Sequence, residues 1–177
     1  ALGSENISDI SLFCFMVIQP APSYEYEVAQ YLYKHSLSIF QCEGWAVFSD
    51  RSDNPLTLGV DERNRTVSTV PIPGPEAWMG YYQGYPCLIN ANVLYRAWEL
   101  VAENATSYDF FVKVDADSVF MPQRLKALLV KEGQLEQPDV ETGRFFVNCW
   151  RWTSSGTMQG PLEVLSAAAL ETFGKRK

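Results

Sequence analysis

Basic residues, histidine and long apolar runs are scarce in this chain, and each shortage excludes a class of function. The chain has 14 Lys and Arg against 21 Asp and Glu, a net charge of −7. A general nucleic-acid binder needs a basic face, so this balance argues against that class, although it leaves a nucleotide ligand possible. The longest unbroken apolar run, Leu12 to Ile18, is too short to span a membrane. The single histidine, His35, has no Ser or Cys nucleophile motif to accompany it, and we interpret it as structural.

Cysteines are present, but not in the spacing that binds zinc. The 4 cysteines include no C-x-x-C pair, which argues against a zinc site. Cys14 and Cys149 fall within apolar segments, where a free cysteine serves as a small hydrophobic residue. Cys42 and Cys87 lie in loop-like sequence and are the better candidates for a disulfide, although the sequence alone leaves the pairing open.

Sequons for N-glycosylation begin at Asn6, Asn64 and Asn104. Their frequency in so short a chain favours a protein of the secretory pathway. The chain begins at Ala1 and stops abruptly at Lys177, so we expect a fragment of a longer protein, which leaves room for a membrane anchor outside it. A missing targeting segment then carries no information about compartment.

Alternating strands and helices define the expected fold class. The apolar run from Ile10 to Ile18 predicts a first strand, the spacing of apolar residues from Tyr24 to Leu37 predicts a helix, and Trp45 to Phe48 predicts a second strand. Strand, helix and strand in this order form the unit of a parallel sheet. We therefore predict an α/β fold of three layers, a mostly parallel central sheet flanked by helices.

The later segments continue the pattern. Residues 54–66 are polar and irregular, and the aromatic-rich stretch from Pro71 to Pro86 is expected to be a long surface loop. Further strands are predicted at Thr66 to Ile72, Phe110 to Val114 and Arg144 to Trp152. Further helices are predicted at Asn92 to Glu103, capped by Asn92, from Pro122 onward, and at Ala167 to Phe173, capped by Ser166.

Two acids follow the apolar strand that ends at Val114. Asp115 and Asp117 stand on either side of Ala116, where a buried strand reaches the surface. In open α/β sheets this edge binds ligands. Paired carboxylates there form a hard-oxygen site that suits Mg²⁺ or Mn²⁺ carrying phosphates. The alternative is that both acids only cap and solvate a turn.

A third acid follows the second predicted strand. Ser49 and Asp50 end the segment that begins at Trp45. An acid in this position often holds the ribose or base of a nucleotide in such folds. The alternative is a turn opener before the polar stretch that starts at Arg51.

The segment YDFFVKVDADSVFMPQRLKALL, Tyr108 to Leu129, resembles the metal-binding segment of GT-A-fold glycosyltransferases, most closely the fringe and β-1,3-galactosyltransferase type. Lys113, Asp115 and Asp117 match the family pattern K-x-D-D-D, and Ala116 replaces the middle acid. Other segments resemble the family in the expected order, namely SLFCFMVIQP, WAVFSD, CLINANVLYRAWELVAE and GPLEVLSAAALETF.

The resemblance implies a single domain, or a fragment of one, over residues 1–177. Residues 10–120 would be the nucleotide-binding half, ending in D-x-D, and 121–177 would begin the acceptor-side half. It implies a Golgi or ER-lumen enzyme that uses Mn²⁺ or Mg²⁺ to transfer sugar from a UDP-sugar to a glycan or glycoprotein. The metal ligands would be Asp115 and Asp117. The nucleotide-binding residues would be Ser49, Asp50, Lys113, Asp115 and Ala116.

Sugar and acceptor contacts would come from Trp150, Trp152, Gly160 and Glu163. Glu163 is also the candidate catalytic residue, although it replaces a small residue or glycine of the family segment. The family's acidic base and its metal-binding histidine lie beyond the point where this chain ends. The resemblance therefore leaves the catalytic base unassigned.

Two alternatives remain open at the sequence level. Asp115 to Val119 also matches D-x-D-x-[TV], the first motif of haloacid-dehalogenase-like phosphatases, in which the first Asp is a nucleophile and the second an acid/base. That motif normally lies on the first strand of its fold, whereas three predicted strands come earlier here. The other alternative is a catalytically incomplete domain that binds a sugar nucleotide or glycan without turnover.

Overall fold

The computed structural model describes residues 10–20, 23–50, 54–72, 78–82, 84–104, 107–133, 146–148 and 160–175. A short 3₁₀ helix occupies Ser38–Gln41. The strands and α-helices follow in the order β1 (Leu12–Ile18), α1 (Tyr24–Lys34), β2 (Gly44–Ser49), β3 (Thr57–Val60), β4 (Thr66–Ser68), β5 (Val70–Pro71), β6 (Trp78–Tyr82), β7 (Tyr85–Ile89), α2 (Ala91–Asn104), β8 (Phe110–Val114), α3 (Pro122–Gly133), β9 (Phe146–Asn148), β10 (Leu162–Ser166) and α4 (Ala167–Gly174).

The central sheet has six strands in the order β5-β2-β1-β8-β10-β9. Strands β5, β2, β1 and β8 pair in parallel. Strand β10 runs antiparallel to both of its neighbours, β8 and β9. The predicted α/β class with a mostly parallel sheet is therefore confirmed.

Side chains from β1 alternate between the two faces of the sheet, and both faces are covered. Leu12, Cys14 and Met16 pack in one buried cluster with Ala29 of α1 and Leu125 of α3. Because a strand between two helical layers is buried on both sides, its sequence is continuously apolar, as the run in β1 is. Helices α1 and α3 thus form one outer layer.

The opposite face carries the second cluster. Phe15 of β1 and Phe111 of β8 pack there with Ala97 and Val101 of α2 and with Leu170 of α4. Phe15 also meets the indole ring of Trp98 in α2 edge-on, with ring centroids 4.8 Å apart. Helices α2 and α4 thus form the second outer layer, as the prediction of three layers requires.

The aromatic-rich stretch predicted as a long loop contains an antiparallel hairpin instead. Strands β6 and β7 pair from Trp78 with Ile89 to Tyr82 with Tyr85. Aromatic residues are good strand formers, and Gly84 takes the positive φ of 86° in the connection. The prediction of a loop was wrong for these residues, because it gave the prolines and glycines of the stretch more weight than the strand propensity of its aromatic residues.

Three other elements differ from the sequence-based expectations. Strand β3 lies in the stretch expected to be irregular and pairs with β4. The strand expected over Thr66 to Ile72 is divided, since β4 pairs with β3 while β5 joins the central sheet. Helix α2 begins at Ala91, so Asn92 lies within its first turn and does not cap it. The starts at Pro122 and after the Ser166 cap are confirmed.

Cys14 and Cys42 form a disulfide, with their Cα atoms 6.1 Å apart. Cys42 was correctly expected to pair, but its partner is the buried cysteine of β1 and not Cys87. The 3₁₀ helix at Ser38–Gln41 packs against β1 and brings Cys42 to it. Cys149 lies outside the described residues. Within the described ranges, no helix combines the length and apolarity that crossing a bilayer requires.

Candidate functional site

A cleft of about 150 Å³ lies at the carboxyl ends of β1, β2 and β8. The chain passes from β1 to β2 on one side, and β8 later pairs with β1 on the other side. The strand order therefore reverses at β1, and this is the point at which open α/β sheets form ligand crevices. The polar residues that line the cleft are Gln19, Glu25, Asp50, Asn90, Asp115 and Asp117.

The pairing of the strands brings three of these acids together. Ile18 is the partner of Ser49 in the β1–β2 pair, and the amide of Asp50 donates to the carbonyl of Ile18 at 2.9 Å. On the other side of β1, Phe15 is the partner of Lys113. The register therefore carries the residues that follow β8 to the same edge as Asp50.

Asp115 is fixed at both its backbone and its side chain. Its amide donates to the carbonyl of Pro161 at 2.9 Å, and its carbonyl accepts from the amide of Ser118 at 3.0 Å. Its Oδ1 atom lies 2.5 Å from Nζ of Lys113. The side chain of Lys113 is 4% exposed and that of Asp115 is 42% exposed, so a buried cation anchors a carboxylate that remains accessible.

Asp117 lies exposed on the other side of Ala116, which is itself buried in the wall of the cleft. Its Oδ2 atom accepts a hydrogen bond from the Tyr24 hydroxyl at 3.2 Å. This hydrogen bond raises the pKa of the Tyr24 phenol, and the negative charge of Asp117 adds to the effect. The first residue of α1 therefore contacts the second acid of the D-x-D turn.

Glu25 adds a fourth carboxylate to the cleft. Its Oε2 atom accepts from the amide of Gln19 at 2.7 Å. Burial raises the pKa of Glu25, and the charges of Asp117, Asp115 and Asp50 raise it further, against the lowering effect of the Gln19 hydrogen bond. The cleft thus concentrates negative charge, which a bound cation would offset.

Lys113 also connects the cleft to β10. It is the cross-strand partner of Glu163, and its Nζ atom lies 3.7 Å from Glu163 Oε1 and donates to the carbonyl of Gly160 at 3.1 Å. Trp98 Nε1 donates to Glu163 Oε2 at 3.2 Å. Burial raises the pKa of Glu163, while the charge of Lys113 opposes the shift. Glu163 therefore lies buried behind Lys113 and is not among the residues that line the cleft.

The residues predicted from the sequence divide into three groups. Asp50, Asp115, Ala116 and Asp117 lie together in the cleft wall. Ser49, Lys113, Gly160 and Glu163 are not among the residues that line the cleft, and Lys113 and Glu163 are buried. Ser49 is fully buried, and its hydroxyl is 2.9 Å from that of Thr69. Trp150 and Trp152 lie outside the described residues.

Three polar residues that line the cleft were not identified from the sequence, namely Gln19, Glu25 and Asn90. Tyr24, which donates to Asp117, was not identified either. In the sequence, Tyr24 and Glu25 stand only as the first two residues of the helix predicted over Tyr24 to Leu37. In a parallel βαβ unit the helix starts at the carboxyl end of the preceding strand, so the start of α1 necessarily lies beside the cleft. That topological rule, applied to the residues after β1, would have pointed to Tyr24 and Glu25.

The D-x-D turn has the donor chemistry of a site for a divalent cation. Across the described ranges, no three His, Cys, Asp or Glu side chains form a cluster arranged to hold a metal ion. Mg²⁺ is usually held by one or two carboxylates together with phosphate and water, not by a cage of protein ligands. The carboxylates of Asp115 and Asp117, in a cleft that already carries Glu25 and Asp50, fit that coordination.

The fold and cleft define an α/β protein with an acidic crevice at the point where the strand order reverses. No protein-family model, curated protein or solved structure matches the chain. What the crevice binds is therefore inferred from its own geometry and charge.

Proposed function

We propose that this chain is the nucleotide-binding part of a metal-dependent glycosyltransferase with the GT-A fold, and that it binds a UDP-sugar. The observation that carries the proposal is the convergence of Asp50, Asp115 and Asp117 on one cleft at the carboxyl edge of the sheet. A nucleotide sugar presents a base and ribose at one end and a diphosphate at the other. Acids that directly follow β2 and β8, on opposite sides of β1, suit these two ends.

Asp115 and Asp117 are the proposed ligands of Mn²⁺ or Mg²⁺. When bound, the ion would act as a Lewis acid that offsets the charge on the departing diphosphate. Lys113 holds Asp115 in position, because its Nζ atom is fixed between that carboxylate and the carbonyl of Gly160. Tyr24 orients Asp117 through its hydroxyl. Asp50 is proposed to accept a hydrogen bond from the ribose or base.

The reaction exchanges one bond at the anomeric carbon for another. The bond from this carbon to the diphosphate oxygen breaks, and an acceptor oxygen bonds to the carbon and loses its proton to a base. Glu163 does not suit the role of base, since it is buried and held by Trp98 and Lys113 away from the cleft. We assign no base among the described residues.

The hairpin of β6 and β7 is the proposed contact for the acceptor glycan. Trp78, Tyr81 and Tyr85 are exposed on it by 49%, 79% and 75%. Aromatic rings combine a flat apolar face with, in tyrosine, a polar hydroxyl, and this suits the C–H faces and hydroxyls of sugars. Strand β7 leads directly to Asn90, which lines the cleft, so the end of β7 lies next to the proposed donor site.

The disulfide between Cys14 and Cys42 supports a luminal location for the proposed enzyme. Disulfides persist in the secretory pathway and are rare in the reducing cytosol. A glycosyltransferase that acts on glycans or glycoproteins in the Golgi or ER lumen would fold under such conditions. The bond joins β1 to the segment after the 3₁₀ helix, inside the buried cluster that supports the cleft strands.

The deciding experiment measures UDP release from a panel of UDP-sugars with and without Mn²⁺, alongside phosphate release from a phosphate monoester. Slow, Mn²⁺-dependent release of UDP supports the transferase, and Asp117→Asn should remove it. Phosphate release that depends on Asp115 would instead support the phosphatase alternative. Tight UDP binding without turnover would support the incomplete binding domain. If calorimetry detects no Mn²⁺-dependent UDP binding, the nucleotide site itself is wrong.

A further inference from the structure

The connection between β3 and β4 presents a sequon at the tip of a hairpin. Asn64, Arg65 and Thr66 form the motif, and Asn64 and Thr66 are both exposed. Asn64 has a positive φ of 57°, a conformation that asparagine tolerates better than most residues. Thr66 is the first residue of β4 and pairs with Val60 across the hairpin. The acceptor amide and the hydroxyl two residues later are therefore both presented to solvent.

The side chain of Asp61 makes the hydrogen bonds that stabilise this turn, and the side chain of Asn64 takes no part in them. The Oδ1 atom of Asp61 accepts from the amides of Arg63 at 2.9 Å and Arg65 at 2.8 Å, and its Oδ2 atom accepts from Nε of Arg65 at 2.8 Å. The backbone amide of Asn64 donates to the carbonyl of Asp61 at 2.9 Å. A group attached to the Asn64 side chain would therefore leave the hydrogen bonds that form the turn intact.

The hairpin tip lies at the opposite end of α1 from the cleft. Tyr24 begins α1 beside Asp117, and Tyr33 near its other end donates a hydrogen bond to the carbonyl of Val60 at 3.2 Å. With about 1.5 Å of rise per residue, these helix positions are roughly 14 Å apart. A large substituent at Asn64 would project from the molecule without covering the cleft.

We propose that Asn64 carries an N-linked oligosaccharide. The donor class is an oligosaccharide joined through a diphosphate to a lipid, as used in the compartment where disulfides such as Cys14–Cys42 form. The amide nitrogen of Asn64 forms a bond to the anomeric carbon of the sugar and loses one proton. The bond between that carbon and the phosphate oxygen breaks, and the lipid diphosphate leaves. This modification does not depend on the function proposed for the cleft.

The test uses the whole chain secreted from eukaryotic cells behind a cleavable signal. Trypsin would cut at Arg63 and Arg65, so a glutamyl protease is used to release the peptide from Arg63 to Glu76. Mass spectrometry before and after treatment with peptide-N-glycosidase should show glycan on this peptide and conversion of Asn64 to Asp on its removal. Asn64→Asp and Thr66→Ala should each lose the mass of one glycan from the intact protein.

Thr66→Ser is the matched control, because it preserves the sequon and should keep the glycan. Asn64→Asp keeps a residue type that tolerates positive φ, so a glycan lost there is not explained by misfolding. An unmodified peptide from secreted wild-type protein that contains the disulfide would overturn the proposal, even if Asn6 or Asn104 were glycosylated. Thr66→Ala should leave UDP affinity unchanged, so failure here is distinguishable from failure of the cleft assignment.

Discussion

Lys113 and Asp115 form an ion pair of 2.5 Å that joins the buried sheet to the accessible cleft. The same lysine is the cross-strand partner of Glu163 and bonds the carbonyl of Gly160. The position of the first D-x-D carboxylate therefore depends on β10 as well as on its own strand. Because the buried Lys113 lies between the carboxylates of Asp115 and Glu163, it couples the stability of the sheet to the geometry of the cleft.

Replacing Lys113 with Met should lower the free energy of unfolding by about 3 kcal/mol, because a buried charge that loses its partner is strongly destabilising. Glu163 would remain buried against Trp98 without its cation. Urea denaturation followed by circular dichroism measures the change. The double variant Lys113→Met with Glu163→Gln should recover part of the loss, and a loss below about 0.5 kcal/mol in the single variant would contradict the coupling.

Asp117→Asn tests the metal site. The substitution keeps the size of the side chain and its ability to accept from Tyr24, but it removes the charge that we propose binds a cation. We expect Mn²⁺-dependent UDP affinity to fall at least about tenfold, equivalent to about 1.4 kcal/mol, while the thermal midpoint stays nearly unchanged. Isothermal calorimetry measures the affinity. Glu27→Gln, an equal charge change at an exposed α1 position that does not line the cleft, should leave it unaltered.

Asp50 and the neighbouring Ser49 should behave oppositely. Asp50→Asn should weaken UDP binding, because Asp50 lines the cleft and is the proposed contact for ribose or base. Ser49→Ala should leave UDP affinity unchanged and lower stability by about 1 kcal/mol, since the hydroxyl bonds Thr69 in the interior. Calorimetry with UDP and urea denaturation of both variants separates the two effects. Equal UDP affinities for Asp50→Asn and wild type would show that Asp50 does not contact the nucleotide and would favour the alternative that it only opens a turn.

Glu25 provides a prediction for pH dependence. Burial raises its pKa in the folded state, so the folded protein binds a proton there more readily than the unfolded chain. The resulting stability is fully present below the ordinary pKa of 4.5 and is lost as pH rises through the higher folded value. Glu25→Gln is neutral at every pH and can still accept from Gln19. Its stability relative to wild type should therefore increase from pH 4 to pH 7.

Urea denaturation of wild type and Glu25→Gln between pH 4 and pH 7 measures the difference between their free energies of unfolding. Adding Mg²⁺ should shrink the difference at pH 7, because a cation near Asp115 and Asp117 offsets the charges that help to raise the pKa of Glu25. A difference that stays constant with pH would contradict the assignment of a raised pKa. A difference that Mg²⁺ leaves unchanged would count against a cation in this cleft.

Elements with uninterrupted or regularly spaced apolar residues were predictable from the sequence. The strand from Phe110 to Val114 is apolar on both faces apart from Lys113, and its burial between helices explains that composition. Helix α1, predicted from Tyr24 onward, begins at Tyr24 after a Ser23 cap, whose hydroxyl accepts from the amide of Glu25 at 3.1 Å. The acids at Asp50, Asp115 and Asp117 could be placed at one edge because a parallel sheet orients all its carboxyl ends alike.

Strand β10 was not predictable in the same way. Its second residue is Glu163, and glutamate is rarely buried without a partner. Here the partner is Lys113, which lies 50 positions earlier in the chain and is visible only through the antiparallel register of β8 and β10. The pairing of Cys14 with Cys42 is a second contact of this kind, because a cysteine inside an apolar strand has no local signal of oxidation.

The disulfide supplies the last prediction. Cys14 and Cys42 are 28 positions apart and the bond closes a loop that contains α1, so it restricts the unfolded chain. Replacing both with Ala should lower the free energy of unfolding by about 3 kcal/mol, whereas Cys87→Ala should leave the bond in place. Reductant should destabilise wild type and Cys87→Ala but not the double variant. If reductant leaves the stability of wild type unchanged, or if peptide mapping joins Cys42 to Cys87, the pairing is wrong. The disulfide would then not stabilise β1, the strand that leads to Gln19 and the cleft.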